Sequence, residues 1–172
     1  MLATIGYERS TLADFVETLV QSKIEVLIDI RERAQSRRPG FSKSALSIAL
    51  SDAGIGYVHF RQLGDPREGR EAARLGRFDQ FREIFREVMS TASAKAALSE
   101  VHKMALENKI CLMCYERDKD QCHRKIVSDH LERMLVCRTS HLGVRNGIAN
   151  ERKVGRMLYT DKGTAAPVQQ IF

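Results

Sequence analysis

A chain of 172 residues, 43% hydrophobic and 29% charged, is long enough for one domain with a real core and too short for two full ones. Its net charge of +6 and pI near 9.3 come mainly from arginine, which suits bidentate contacts to phosphate or carboxylate. No apolar run approaches the roughly 20 residues of a membrane helix, and the first ten residues turn polar too soon for a secretory signal. The expectation is a cytoplasmic protein with no membrane partner, whose four cysteines (Cys111, Cys114, Cys122, Cys137) are thiols.

In chain order, residues 2–5 read as a short apolar strand, followed by a turn at Gly6-Tyr7-Glu8-Arg9. Ser10 or Thr11 caps a helix with Leu12, Phe15, Val16, Leu19 and Val20 on one stripe, and Asp14 is a box-like partner of Thr11. Residues 25–30 form a continuous apolar strand, as in a parallel sheet covered on both faces. A loop at residues 31–40 carries Arg31, Arg33, Arg37 and Arg38. Ser42 caps the next helix, with Leu46, Ala49 and Leu50 inward, and residues 57–60 make a third strand. Residues 61–76 lack clear periodicity and read as a long functional or mobile loop. Residues 78–89 read as a helix with Phe78, Phe81, Phe85 and Val88 buried, and residues 93–107 as another.

The densest group of reactive side chains follows. Residues 110–114 are an apolar strand, 115–121 a polar loop, and Cys122-His123-Arg124 the first turn of a helix whose apolar face carries Ile126, Val127, Leu131, Met134 and Leu135. A last strand is expected over residues 136–142. The basic segment 143–172 is expected to be a tail packed on a partner subunit or disordered. Strands alternating with helices predict a single α/β domain over residues 1–142, with about five mainly parallel strands flanked by helices. Ligands of such sheets bind beyond the carboxyl ends of the strands. There the pattern places Asp29, Arg31, His59, Cys114, Glu116 and His141 on one rim.

Several stretches resemble the bacterial and archaeal family called domain of unknown function 488. They are T-I-G-Y-E-R-S at residues 4–10, I-D-I-R at 28–31, S-R-R at 36–38, Y-V-H-F at 57–60 and C-Y-E-R…C-H-R at 114–124. The resemblance runs from about residue 4 to 142. It implies an α/β fold and signature positions Gly6, Asp29, Arg31, Glu116, Cys122, His123 and Arg124, but no activity. V-L-I-D-I-R-E at 26–32 is similar, more weakly, to the strand that opens rhodanese-like domains. However, Cys114 is followed by no glycine, and Asp120 stands where a phosphatase-type loop would have arginine.

The leading expectation is an enzyme or ligand-binding protein acting on an anionic compound, a nucleotide or other phosphate carrier. Arg31, Arg37 and Arg124 would hold the anion, with the last turned back toward the rim. The catalytic candidates are Cys122, Cys114, His123, Asp29 and Glu116. Cys122 stands at a helix N-terminus beside two cations, which favour its thiolate. His123 is expected near Asp29 and the 115–121 loop. Asp29 can instead be a paired, half-buried carboxylate, and His59 and His141 are further candidate bases. Cys111 and Cys137 read as core. No cofactor is expected. The alternative the ligand types allow is zinc on Cys114, Cys122 and His123, completed by His141 or His59. Two other functional alternatives are a nucleic-acid-binding module, which the arginine loop and basic tail support, and rhodanese-like thiol chemistry. Oligomeric state is not written in the sequence.

Overall fold

The computed structural model describes residues 1–151. Five parallel strands form one sheet: β1 (Leu2–Gly6), β2 (Val26–Asp29), β3 (Gly56–His59), β4 (Ile110–Cys114) and β5 (Ser140–Leu142). Their spatial order is β3-β2-β4-β1-β5, with registers such as Gly6 beside Cys114 and Asp29 beside Met113. The α/β expectation is met.

The central strands are apolar throughout because both faces are covered. In β4, Ile110 and Leu112 enter one core while Cys111 and Met113 enter the other. In β2, Ile28 and Leu27 divide the same way. On one face lie α1 (Leu12–Gln21) and α2 (Lys43–Asp52), through Phe15, Leu19, Leu46 and Leu50. On the other lie α4 (Phe78–Ser90), α5 (Ala92–Glu107) and α6 (His123–Leu135), through Phe85, Met89, Val101, Val127 and Leu131. Thr11 caps α1, its hydroxyl oxygen accepting from the Asp14 amide at 3.1 Å. Ser42 is the N-cap of α2, with no side-chain bond to the helix.

The connections set the site. After β1 the chain crosses by α1 to β2; after β4 it crosses by α6 to β5 on the opposite side of the sheet. The loops leaving the neighbouring strands β1 and β4 therefore diverge and open a crevice, the place where ligands of open α/β sheets bind.

The structure corrects five readings. The stretch 61–76 holds a 3-10 turn (Arg61–Leu63) and α3 (Arg67–Arg74), a helix too short and too charged to show an apolar stripe. In α4, Phe81, Phe85 and Met89 are buried, while Phe78 and Val88 are only partly so. The last strand is three residues long, because α6 ends at Val136, which is left-handed (φ 51°) and 93% exposed. Cys137 beside it is exposed, not core. Met134 is exposed too, while Leu135 packs on the core as expected. Beyond β5, Val144 and Ile148 are buried, and the Ala149 amide donates to Asp14 Oδ1 at 3.1 Å. The rest of the basic tail, 152–172, lies outside the described residues. Among the described residues no helix is long and apolar enough to cross a membrane.

Candidate functional site

A cavity of about 1050 Å³ opens at the carboxyl rim, over the divergence of the β1 and β4 loops. It has a buried floor and an arginine-lined mouth.

The floor begins with Asp29, which is fully buried at the end of β2. Its carboxylate accepts from the Arg31 amide (3.0 Å), from Arg31 Nε and Nη2 (2.9 and 2.6 Å) and from the Tyr57 hydroxyl (2.6 Å). Burial and the Asp29 charge push the Tyr57 phenol up. Arg31 spends its remaining nitrogen on the Tyr7 hydroxyl and the Phe41 carbonyl, both at 2.9 Å. Tyr7 stacks on Phe41 at 4.4 Å and meets the half-exposed Tyr115 edge-on. Asp29 and Arg31 are thus paired with each other. Each guanidinium nitrogen of Arg31 already has a partner and both Asp29 oxygens accept, so this pair acts first as a fixture, with Arg31 lining the cavity.

Arg124 is turned back toward the rim, as expected, but it is 2% exposed and holds the loop. Its Nη1 donates to the Glu116 carbonyl and its Nη2 to the Arg117 carbonyl at 2.8 Å. Gly6 is required beneath this clamp, since a Cβ there would sit 1.8 Å from the Glu116 carbonyl oxygen.

The loop so held brings four groups together. Cys114 ends β4 on the α6 side of the sheet. Cys122 is the N-cap of α6, extended at φ −134°, and its sulfur accepts from the Arg124 amide at 3.5 Å. His123, the first helical residue, donates from Nε2 to the Ile30 carbonyl at 2.9 Å and packs beside Phe85. Its Nδ1 lies 3.7 Å from Cys114 Sγ and 4.0 Å from Cys122 Sγ. Glu116 Oε2 is 3.0 Å from Cys114 Sγ. The two sulfurs and one ring nitrogen lie within 4.8 Å of one another, a set that could hold a metal ion.

The thiols differ from expectation. Both are buried, Cys114 at 4% and Cys122 at 2% exposure. Burial pushes the Cys114 thiol up, and burial with the neighbouring Cys114 and Glu116 pushes Cys122 well above the ordinary thiol range. Desolvation outweighs the helix dipole and the adjacent cations, so Cys122 by itself is no activated thiolate. Burial would lower His123, but Cys122, Glu116 and Asp65 outweigh it and raise it to about 9. Burial would raise Glu116, but His123 and the two thiols hold it below the ordinary carboxylate range.

His59 and His141 are elsewhere: His59 Nε2 donates to the Arg31 carbonyl at 2.8 Å, and His141 Nδ1 pairs with the Thr4 hydroxyl at 2.8 Å. Neither lines the cavity or can complete a tetrahedron with Cys114, Cys122 and His123. His123 approaches Ile30 rather than Asp29, whose carboxylate is already filled.

The mouth is formed by the 31–40 loop and α3. Arg33 and Arg37 are exposed and have no hydrogen-bond or ion-pair partner among the described residues. Arg38 reaches the Ser10 carbonyl at 2.6 Å, and Arg70 pairs with Glu32 at 2.7 Å. Sequence reasoning missed Asp65. It lines the cavity, is 6% exposed, and its Oδ1 is buried without a partner among the described residues. Burial pushes it up to about 6. The sequence signal was the Asp-Pro turn inside the glycine-bearing 61–76 stretch, which is too common to single out an acid.

The model of the family described as domain of unknown function DUF488 matches residues 11–131. No curated protein and no solved structure matches the chain.

Proposed function

We propose that this chain, which belongs to the domain of unknown function DUF488 family, binds an anionic compound of nucleotide size in the rim cavity and acts on it at the floor. The observation that carries the reading is the cavity itself. It has room for a nucleotide, with Arg33 and Arg37 unpaired at its mouth and titratable groups below them. On this reading the anion contacts are Arg37 and Arg33 at the mouth, since Arg31 is held by Asp29, Tyr7 and Phe41 and Arg124 is buried on the Glu116 and Arg117 carbonyls. Tyr115 and Phe78, both lining the cavity, offer faces for an aromatic ring. Asp65 is the proton carrier that burial favours, since a carboxyl titrating near 6 can take or give a proton at working pH. Glu116, held ionised beside Cys114 and His123, is the second. Cys114 and Cys122 act through these neighbours and not as free nucleophiles. Rhodanese-like chemistry, which needs an exposed thiolate, draws no support from their burial.

The test is calorimetric titration of the full chain with nucleoside mono- and triphosphates and sugar phosphates. Arg33→Ser and Arg37→Ser should each weaken binding by about 10-fold, the worth of one charge-assisted contact. If none of these compounds binds, or both variants bind as tightly as the parent, the reading fails. Salt-steep binding of duplex DNA by the same arginines would transfer support to the nucleic-acid alternative.

A further inference from the structure

We propose that Cys114, Cys122 and His123 form a zinc site in the floor of the cavity, with Glu116 beside the fourth position. Three independent features converge on it. The first is the direction of the imidazole. The Ile30 carbonyl can only accept, so His123 Nε2 carries the hydrogen at 2.9 Å. In the neutral ring this leaves the lone pair on Nδ1, aimed between two sulfurs 3.7 and 4.0 Å away. A ring nitrogen fixed by N–H donation to a backbone carbonyl, its other nitrogen facing thiols, is how ligating histidines are held.

The second feature is spacing. With zinc bonds of about 2.3 Å to sulfur and about 2.0 Å to nitrogen, tetrahedral angles put neighbouring ligand atoms roughly 3.5–3.8 Å apart. The set as it stands, all within 4.8 Å, needs only small side-chain rotations to close. Adjacent residues can both ligate because Cys122 is extended and His123 helical, which turns their side chains to one point.

The third is charge and access. Two thiolates would balance the ion, and the Arg124 amide already donates to Cys122 Sγ. Cys114, His123 and Glu116 all line the cavity, so the fourth position faces the ligand space. Three protein ligands and an accessible fourth position is the catalytic class of zinc site, and a thiol–imidazole set favours zinc over calcium, magnesium or manganese. A ligand oxygen entering from the cavity would take the fourth position, beside Glu116. The site stands without the anion reading, since protein that binds zinc but no nucleotide would separate the two.

The test uses the full chain, reduced and stripped of metal with a chelator, then titrated with zinc alone against a chromophoric competitor. The expected result is about one zinc per chain with Kd on the order of 10 nM or tighter. Zinc displaces the protons of both thiols and any extra proton on the His123 ring, so binding releases at least two protons per ion at neutral pH, read with an indicator dye. Cobalt in place of zinc should give thiolate-to-metal charge-transfer absorption. Cys122→Ser and Cys114→Ser should each weaken zinc by more than about 100-fold, while Cys137→Ser, at an exposed site, should change nothing. No zinc binding tighter than micromolar, no proton release, or full binding by a Cys114→Ser/Cys122→Ser chain would overturn the site. Should the cysteine variants fail to fold by circular dichroism, the parent's proton count and cobalt spectrum decide. A cobalt complex without the thiolate band would sink the proposal.

Discussion

Arg31 is 6% exposed and every nitrogen of its guanidinium has a partner, whereas Arg37, on the same loop, is exposed and has none among the described residues. The two belong to the floor and the mouth of one cavity. At the floor, a desolvated arginine is held by partners of its own: Arg31 is a fixture for Asp29, and Arg124 one for the β4–α6 loop through its two terminal nitrogens, its Nε being buried without a partner among the described residues. At the mouth, water solvates the charge, and the guanidinium stays available to a ligand. Arginine type does not divide structural from binding roles; burial and prior partners do.

The comparison breaks first at Arg31. Arg31→Ala leaves Asp29 buried without its cation and should cost about 3–5 kcal/mol in urea denaturation. Arg124→Ala removes the donors to two loop carbonyls and should cost about 3 kcal/mol. A loss below about 1 kcal/mol for either would mean the floor is not pinned by its arginines. Next comes Gly6→Ala, which forces the Glu116 carbonyl away from its clamp and should destabilise by about 2–3 kcal/mol. A near-neutral result would show that the loop can retreat.

Asp65 sharpens the contrast with opposite sign. Its folded pKa of about 6 lies above the ordinary 3.8, so its contribution to stability is full below about pH 4 and is lost as pH rises through 6. Asp65→Asn should therefore stabilise by about 1–3 kcal/mol at pH 7, and the gain should shrink toward pH 4. A gain independent of pH would contradict a buried, titrating carboxyl. The smallest effect on the fold is expected at the mouth: Arg33→Ser and Arg37→Ser should change stability by less than about 0.5 kcal/mol while lowering affinity for the anion. A large loss of stability there would place these arginines in the scaffold.

What the sequence determined is what local patterning controls. The apolar runs of β2 and β4 are continuous because both faces are covered, and this alone predicts a parallel sheet between helix layers. Thr11 with Asp14 marks the start of α1, since a cap acts within a few residues. The same patterning placed Cys114, Glu116 and Cys122-His123-Arg124 where β4 meets α6. Tertiary structure decided the rest. α3 has too few apolar residues to show a period, and Val136 ends α6 by a left-handed backbone with no glycine to announce it. Whether a thiol is a low-pKa nucleophile or a desolvated ligand depends on how much water reaches it, which residue order does not encode. The Cys114–Cys122–His123 group has no C-x2-C spacing because its ligands come from a strand end and a helix cap joined by a loop. It is assembled by the Arg124 clamp, the Ile30 carbonyl and the strand order β2-β4-β1, contacts between distant segments that only the folded chain brings together.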